Sequence, residues 1–161
     1  NNRVFRTEYP KVKFGRLVHL TNHHQDIDKV ASKNNVPIYE GKFFHIFDGR
    51  YSGFNDVPVS ERYRSKAASE ILSIQQKNDG DIPLSRFFIQ EQKWAELSKQ
   101  YNSSYMLAWR SLTSASNART CIATILPFMP ASQSVQFLTI ESNIELLYIC
   151  CIFNSLVFAL I

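Results

Sequence analysis

The chain has 161 residues, 45% of them hydrophobic and 20% charged, with a formal net charge of +4. That hydrophobic share excludes a disordered polypeptide, and the length suffices for one domain with a buried core. The mild positive excess suits a polyanionic partner without demanding one, and the 18 basic residues end at Arg119, so any nucleic-acid face belongs to the first three quarters.

In chain order, Arg16 to Leu20 reads as a short strand, and Thr21 to Asn35, rich in Asn, His and Asp, as a loop or short helix. Val36 to Tyr39 and Lys42 to Phe47 are extended in character, and Asp48-Gly49 is a two-residue turn signal that predicts a hairpin running into Arg50 to Phe54. From Glu61 to Gln76, Tyr63, Ala67, Ile71 and Ile74 recur at the period of one buried helix face. Lys77 to Asp81 breaks that pattern before a strand at Arg86 to Ile89 and a helix at Gln90 to Lys99 with Trp94 and Leu97 inward. Tyr105 to Leu112, Arg119 to Leu126 and Phe137 to Ile140 read as strands, and a closing helix begins near Asn143 with Ser142 or Asn143 as its cap.

Glu145, Asn154 and Ser155 interrupt the apolar closing segment, which favours a buried helix over a membrane span. Cys121, Cys150 and Cys151 sit in apolar runs without metal or redox spacing, which predicts reduced, buried thiols in a cytoplasmic protein. The chain opens on Asn1 without a signal peptide and ends inside an apolar run, so it reads as a fragment of a larger protein.

Three clusters carry candidate chemistry. His19, His23 and His24 with Asp26 and Asp28 are the densest set of metal-ligand types, but without a second cluster at fixed spacing a solvated or phosphate-contacting loop is the plainer reading. His45, Asp48 and Arg50 lie beside the predicted turn, as an acid-base trio or as the polar tip of a structural hairpin. Trp109 and Arg110, followed by Asn117, Arg119 and Thr120, offer a bidentate fork for guanine or phosphate, an adenine-pairing amide and a hydroxyl; the rival reading is a strand-turn-strand unit whose arginines form surface ion pairs. No Gly-rich cofactor loop occurs among the five glycines.

Two of these stretches belong to longer motifs. Pro37-Ile38-Tyr39-Glu40-Gly41-Lys42 through His45, Phe47, Asp48 and Arg50, and Ala108-Trp109-Arg110 through Asn117-Ala118-Arg119-Thr120 to Pro127, both resemble the C-terminal target-recognition region of restriction-modification and phage-defence adenine-specific DNA methyltransferases of the type IIG-like, fused kind. Arg86-Phe87-Phe88-Ile89 and Leu146 to Phe158, with Asn154-Ser155 inside it, resemble two shorter segments of that family in the same order. Gly49 stands where the family has a second His, Ser114 where it has Arg, and Ala118 where it has Glu.

The resemblance implies one α+β domain over residues 1–161, like the target-recognition domain of type I specificity subunits, with 1–35 peripheral, 36–142 a mixed core and 143–161 a buried closing helix. It implies double-stranded DNA as partner, contacted through Lys42, His45, Asp48, Arg50, Trp109, Arg110, Asn117, Arg119 and Thr120. S-adenosylmethionine and methyl transfer would belong to a catalytic domain of the same parent chain, with or without a fused endonuclease; this segment itself would hold no cofactor, metal or catalytic residue. The alternative is an interaction module that docks through its apolar C-terminal helix, the same surface through which copies would self-associate. A small hydrolase built on His45 and Asp48 lacks a nucleophile or oxyanion donor. A DNA reader would gather Arg50, Arg62, Arg64, Arg110 and Arg119 on one face, and a scaffold would scatter them.

Overall fold

A computed structural model of the chain describes residues 11–64, 67–113 and 120–155. They form a mixed α+β structure with antiparallel strand pairing and four α-helices. The main sheet has the order β1-β9-β7-β8, built from β1 (Lys13–Gly15), β7 (Tyr105–Arg110), β8 (Ala123–Pro127) and β9 (Val135–Thr139). A second sheet pairs β2 (Ile27–Asp28) and β3 (Asn35–Pro37) on either side of β6 (Phe88–Gln90), and β4 (Ser52–Gly53) pairs with β5 (Glu70–Ile71).

Alternation along β7 distributes the core between two layers. Met106 and Ala108 face a cluster with Phe43, Phe44, Phe54, Val135 and Phe137, whereas Leu107 and Trp109 face the opposite layer. That layer is roofed by α4 (Asn143–Phe153), whose Leu146, Ile149 and Cys150 pack on Leu107, Ala123 and Leu138. The Ser142 hydroxyl accepts from the Glu145 amide at 3.3 Å and starts α4 as its sequence predicts. A third cluster joins Val18, Ile38 and Ile89 to Trp94 and Leu97 of α3 (Glu91–Ser98).

Several expectations are corrected. The first strand is Lys13–Gly15 rather than Arg16 to Leu20, because Gly15 crosses β9 where a Cβ would lie 2.2 Å from the Phe137 ring. Residues 11–35 are not peripheral: they supply β1 and β2 and bury Val12 and Val18. The long helix over 61–76 is instead α1 (Val59–Arg62), then β5, then α2 (Ile74–Asn78), with Ile71 and Ile74 exposed. The break has a local cause, since the Ser73 hydroxyl and the Gln76 side chain form a reciprocal capping box that nucleates a new helix there. The closing helix is buried on one face only, leaving Ile144, Leu147, Tyr148 and Ile152 exposed. Cys151 is exposed as well, and Cys121 partly so. No helix among the described residues is long and apolar enough to cross a membrane.

Candidate nucleic-acid interface

The Tyr39-Glu40-Gly41-Lys42 run is built into the interior. Tyr39 pairs with the Pro130–Ser132 segment, and its hydroxyl donates to the Gly49 carbonyl; burial pushes the phenol far above its ordinary pKa. Glu40, 7% exposed, receives both arms of a fork from Arg86, Nε at 2.9 Å and Nη2 at 3.0 Å. Gly41 passes so close to Ser134 that a Cβ would lie 2.9 Å from its carbonyl oxygen. Lys42 rides over the Phe54 ring at 4.5 Å, donates to the Ala67 carbonyl at 2.9 Å and lies 3.5 Å from Glu40. Burial lowers its pKa, with Glu40 opposing.

The chain then reverses in a hairpin whose turn is two residues earlier than Asp48-Gly49. The His45 amide donates to the Asp48 carbonyl at 2.8 Å and the Asp48 amide returns to His45 at 3.0 Å, which leaves Ile46-Phe47 as the two turn residues. Lys42 to Phe47 is accordingly not one extended run: Gly41–Phe43 is a 3-10 turn. Phe47 takes φ of +55°, a region that costs a non-glycine residue about 1–2 kcal/mol. The aspartate is used to brace the turn. Asp48 accepts from the Arg50 amide at 2.9 Å and pairs with Lys77 at 2.6 Å.

Burial alone would raise the Asp48 pKa, but the hydrogen bonds from Lys77 and the Arg50 amide, with both cations' charge, bring it below its ordinary 3.8. A carboxylate whose folded pKa is depressed stabilises the fold above its unfolded value and loses that contribution as pH falls through the folded one. Acid unfolding followed by circular dichroism is therefore expected to show stability falling below about pH 4 in the wild type. The fall should be shallower in Asp48→Asn; an unchanged acid limb would remove Asp48 from the titration.

Beside the hairpin lies a cleft of about 480 Å³ lined by Arg16, Lys42, Arg110, Ser111, Gln133 and Gln136, together with Gly41, Leu112 and Ser134. Arg110 is its centre. The guanidinium donates to the Phe44 carbonyl and lies over the Phe44 ring, while its buried Nε has no hydrogen-bond partner among the described residues. Burial lowers its pKa, with Tyr51 opposing, and Arg110 in turn helps burial hold His45 below its ordinary value. His45 packs against Tyr51 with ring centroids 4.9 Å apart and the planes tilted by 39°. Arg16 donates through Nε to the Gln133 carbonyl at 2.9 Å, and the Gln133 side-chain oxygen accepts from Leu20 at 3.0 Å, which directs the Gln133 amide nitrogen away from that bond. No carboxylate lines the cleft among the described residues.

Of the expected contact residues, the structure brings Lys42 and Arg110 to the cleft and His45, Asp48 and Arg50 to the adjoining hairpin. Trp109 is separated from them: it points to the opposite face of β7, edge-on to Phe153 at 5.4 Å and to Phe14 at 6.4 Å, and is core for α4. Thr120 is exposed and its carbonyl accepts from the Thr113 hydroxyl. Asn117 and Arg119 lie outside the described residues.

Nor do the arginines gather as a set. Arg50 donates to the Asp81 carbonyl, Arg62 to the Val57 carbonyl, and Arg64 pairs with Glu61, so Arg110 alone of the described four lines the cleft. Sequence reasoning missed Arg16, Gln133 and Gln136. The available signal was the polar Ser132-Gln133-Ser134 triplet between two apolar strands. The histidine cluster is occupied internally, with His23 Nδ1 accepting from the His19 amide, and no group of three metal-ligand side chains occurs among the described residues.

No family model, curated protein or solved structure matches the chain. The resemblance to methyltransferase recognition regions accordingly rests on the motif residues themselves, several of which, Tyr39, Glu40, Gly41 and Trp109 among them, have structural work in this fold.

Proposed function

We propose that the chain is a sequence-specific DNA-recognition domain of a restriction-modification type adenine-specific methyltransferase, gripping the duplex backbone at the Arg16–Lys42–Arg110 cleft. The observation that carries this reading is Arg110, a half-buried guanidinium in a cleft that no carboxylate lines among the described residues. Placing a cation there without a counter-charge is costly, and a phosphate in the cleft would supply the charge. Arg16 adds a second cation at the rim, and the Gln133 and Gln136 amides can bond phosphate or base edges. The motif resemblance supplies the link to methyltransferases. Methyl transfer with S-adenosylmethionine would then lie in another domain of the parent, acting on a flipped adenine.

The test is fluorescence anisotropy with a mixed-sequence duplex over a salt series. Wild type should weaken steadily with salt, Arg110→Ala should raise Kd about tenfold, and Arg16→Ala should reduce the salt slope by about one. Absence of binding by the folded chain at low salt would reject the reading. A second reading is favoured by two observations: Arg50, Arg62 and Arg64 do not join Arg110 at the cleft, as a scaffold would have it, and the uncharged stripe Ile144, Leu147, Tyr148 and Ile152 on α4 suits docking onto another protein surface, the parent's catalytic domain included.

A further inference from the structure

Phe47 combines three properties that its fold does not require. The residue is 63% exposed at the tip of the hairpin, although burial of its ring would have stabilised the fold. Its backbone is held at φ +55°, a setting glycine or asparagine would occupy with less strain. No ring or cation stacks on it among the described residues. Strain maintained at an exposed aromatic is a reason to look for a role outside the fold.

The tip is also stiff. Two backbone hydrogen bonds close the turn, the Phe47 amide donates to the Ala123 carbonyl at 3.3 Å, and the Asp48–Lys77 pair clamps the next residue. β8 ties the tip to the cleft: Ala123 holds Phe47 on one edge, and the neighbouring Ile122 carbonyl accepts from the Arg110 amide on the other, at 3.1 Å. The backbones of Phe47 and Arg110 therefore lie about two strand spacings, roughly 10 Å, apart. Lys77 offsets the Asp48 carboxylate beside the tip, which leaves exposed Arg50 as the cation that draws a polyanion to it.

We infer that Phe47 is a base-stacking wedge, its ring inserting at a base step of duplex DNA whose backbone lies in the Arg110 cleft. The inference rests on the DNA reading above. A pre-ordered apolar ring beside phosphate-binding cations is the chemistry by which side chains unstack base steps, and a rigid tip loses little conformational freedom in doing so. Stacking carries no charge, so the wedge contributes affinity without contributing to the salt slope.

Phe47→Gly and Phe47→Trp test this in the full chain, with Kd, salt slope and thermal midpoint measured on a duplex carrying 2-aminopurine. Phe47→Gly relieves the strained φ and should melt at or above the wild-type temperature, yet bind about tenfold more weakly with the same slope and without the rise in 2-aminopurine fluorescence that unstacking produces. Phe47→Trp should bind within about twofold of wild type, since the flat ring is kept. Wild-type affinity in Phe47→Gly would overturn the wedge and leave the DNA reading standing. A weaker glycine variant that also melts lower or loses salt slope would overturn it too, because the effect would then be structural. A wild type that fails to bind at low salt would overturn both.

Discussion

Replacing Glu40 with alanine is expected to destabilise the chain by about 3–5 kcal/mol, the usual cost of breaking a buried ion pair by removing one partner. The carboxylate is nearly inaccessible and takes two hydrogen bonds from Arg86, whose remaining nitrogen donates to the Arg62 carbonyl at 2.7 Å. Arg86 is itself sandwiched against Phe54 and Phe87, each at 4.9 Å, so it cannot swing into water without undoing aromatic packing. Removing Glu40 strands that guanidinium and leaves Lys42 without its nearest acid. For a chain of this size the thermal midpoint should fall by about 10 °C. Arg86→Ala should do comparable damage, whereas an apolar pair such as Glu40→Leu with Arg86→Met should be much milder than the two single losses added together, since both charges leave at once. Additive losses across that thermodynamic cycle would show that the two side chains act independently.

Substituting Asn154 with leucine is expected to cost about 2–3 kcal/mol through unsatisfied buried backbone groups. Its carboxamide accepts from the Ala123 amide at 3.2 Å and donates to the Ala123 carbonyl at 3.0 Å, taking the place of a neighbouring strand at the edge of β8. It also donates to the Cys150 carbonyl at 3.0 Å, which ties the end of α4 to the sheet. Leucine keeps the volume and none of these bonds. Hydrogen exchange at Ala123 reports the change directly, because that amide would lose its partner while remaining close to the protein. Preserved protection at Ala123 in a variant of unchanged stability would refute the edge-cap role. Since Phe47 donates to the same Ala123 carbonyl, fraying there would also loosen the hairpin tip.

The motif letters acquire different meanings once the chain is folded. Tyr39, Glu40 and Gly41 read as part of a recognition motif, yet they hold the hairpin against Pro130 to Ser134 and anchor Arg86. Trp109 and Arg110 are adjacent in sequence and serve opposite faces of β7, one as core and one as the cleft cation. Strand alternation makes that separation legible in principle, but only after the register of β7 against β8 and β9 is known. The helix expected over 61–76 shows the converse case. Its apolar spacing was regular, but the Ser73 capping box and the pairing of β5 with β4 outweighed a periodicity that had no core to face.

What the sequence by itself determined is the set of elements whose signals are local. The mixture of strands and helices, the three strands expected within Tyr105 to Leu112, Arg119 to Leu126 and Phe137 to Ile140, though not their ends, the helix carrying Trp94 and Leu97, and the Ser142-capped closing helix all follow from periodicity and capping chemistry within a few residues. What only the tertiary structure decided is which side chains meet. Arg16, Lys42, Arg110 and Gln133 come from four separate segments and share a cleft because β1, β9 and β7 adjoin in the sheet, while the turn falls on Ile46-Phe47 because Asp48 is held by Lys77 and β8 holds the Phe47 amide. Periodicity encodes the direction a side chain takes from its own element; the partner it reaches depends on register, loop closure and burial, which are properties of the whole chain.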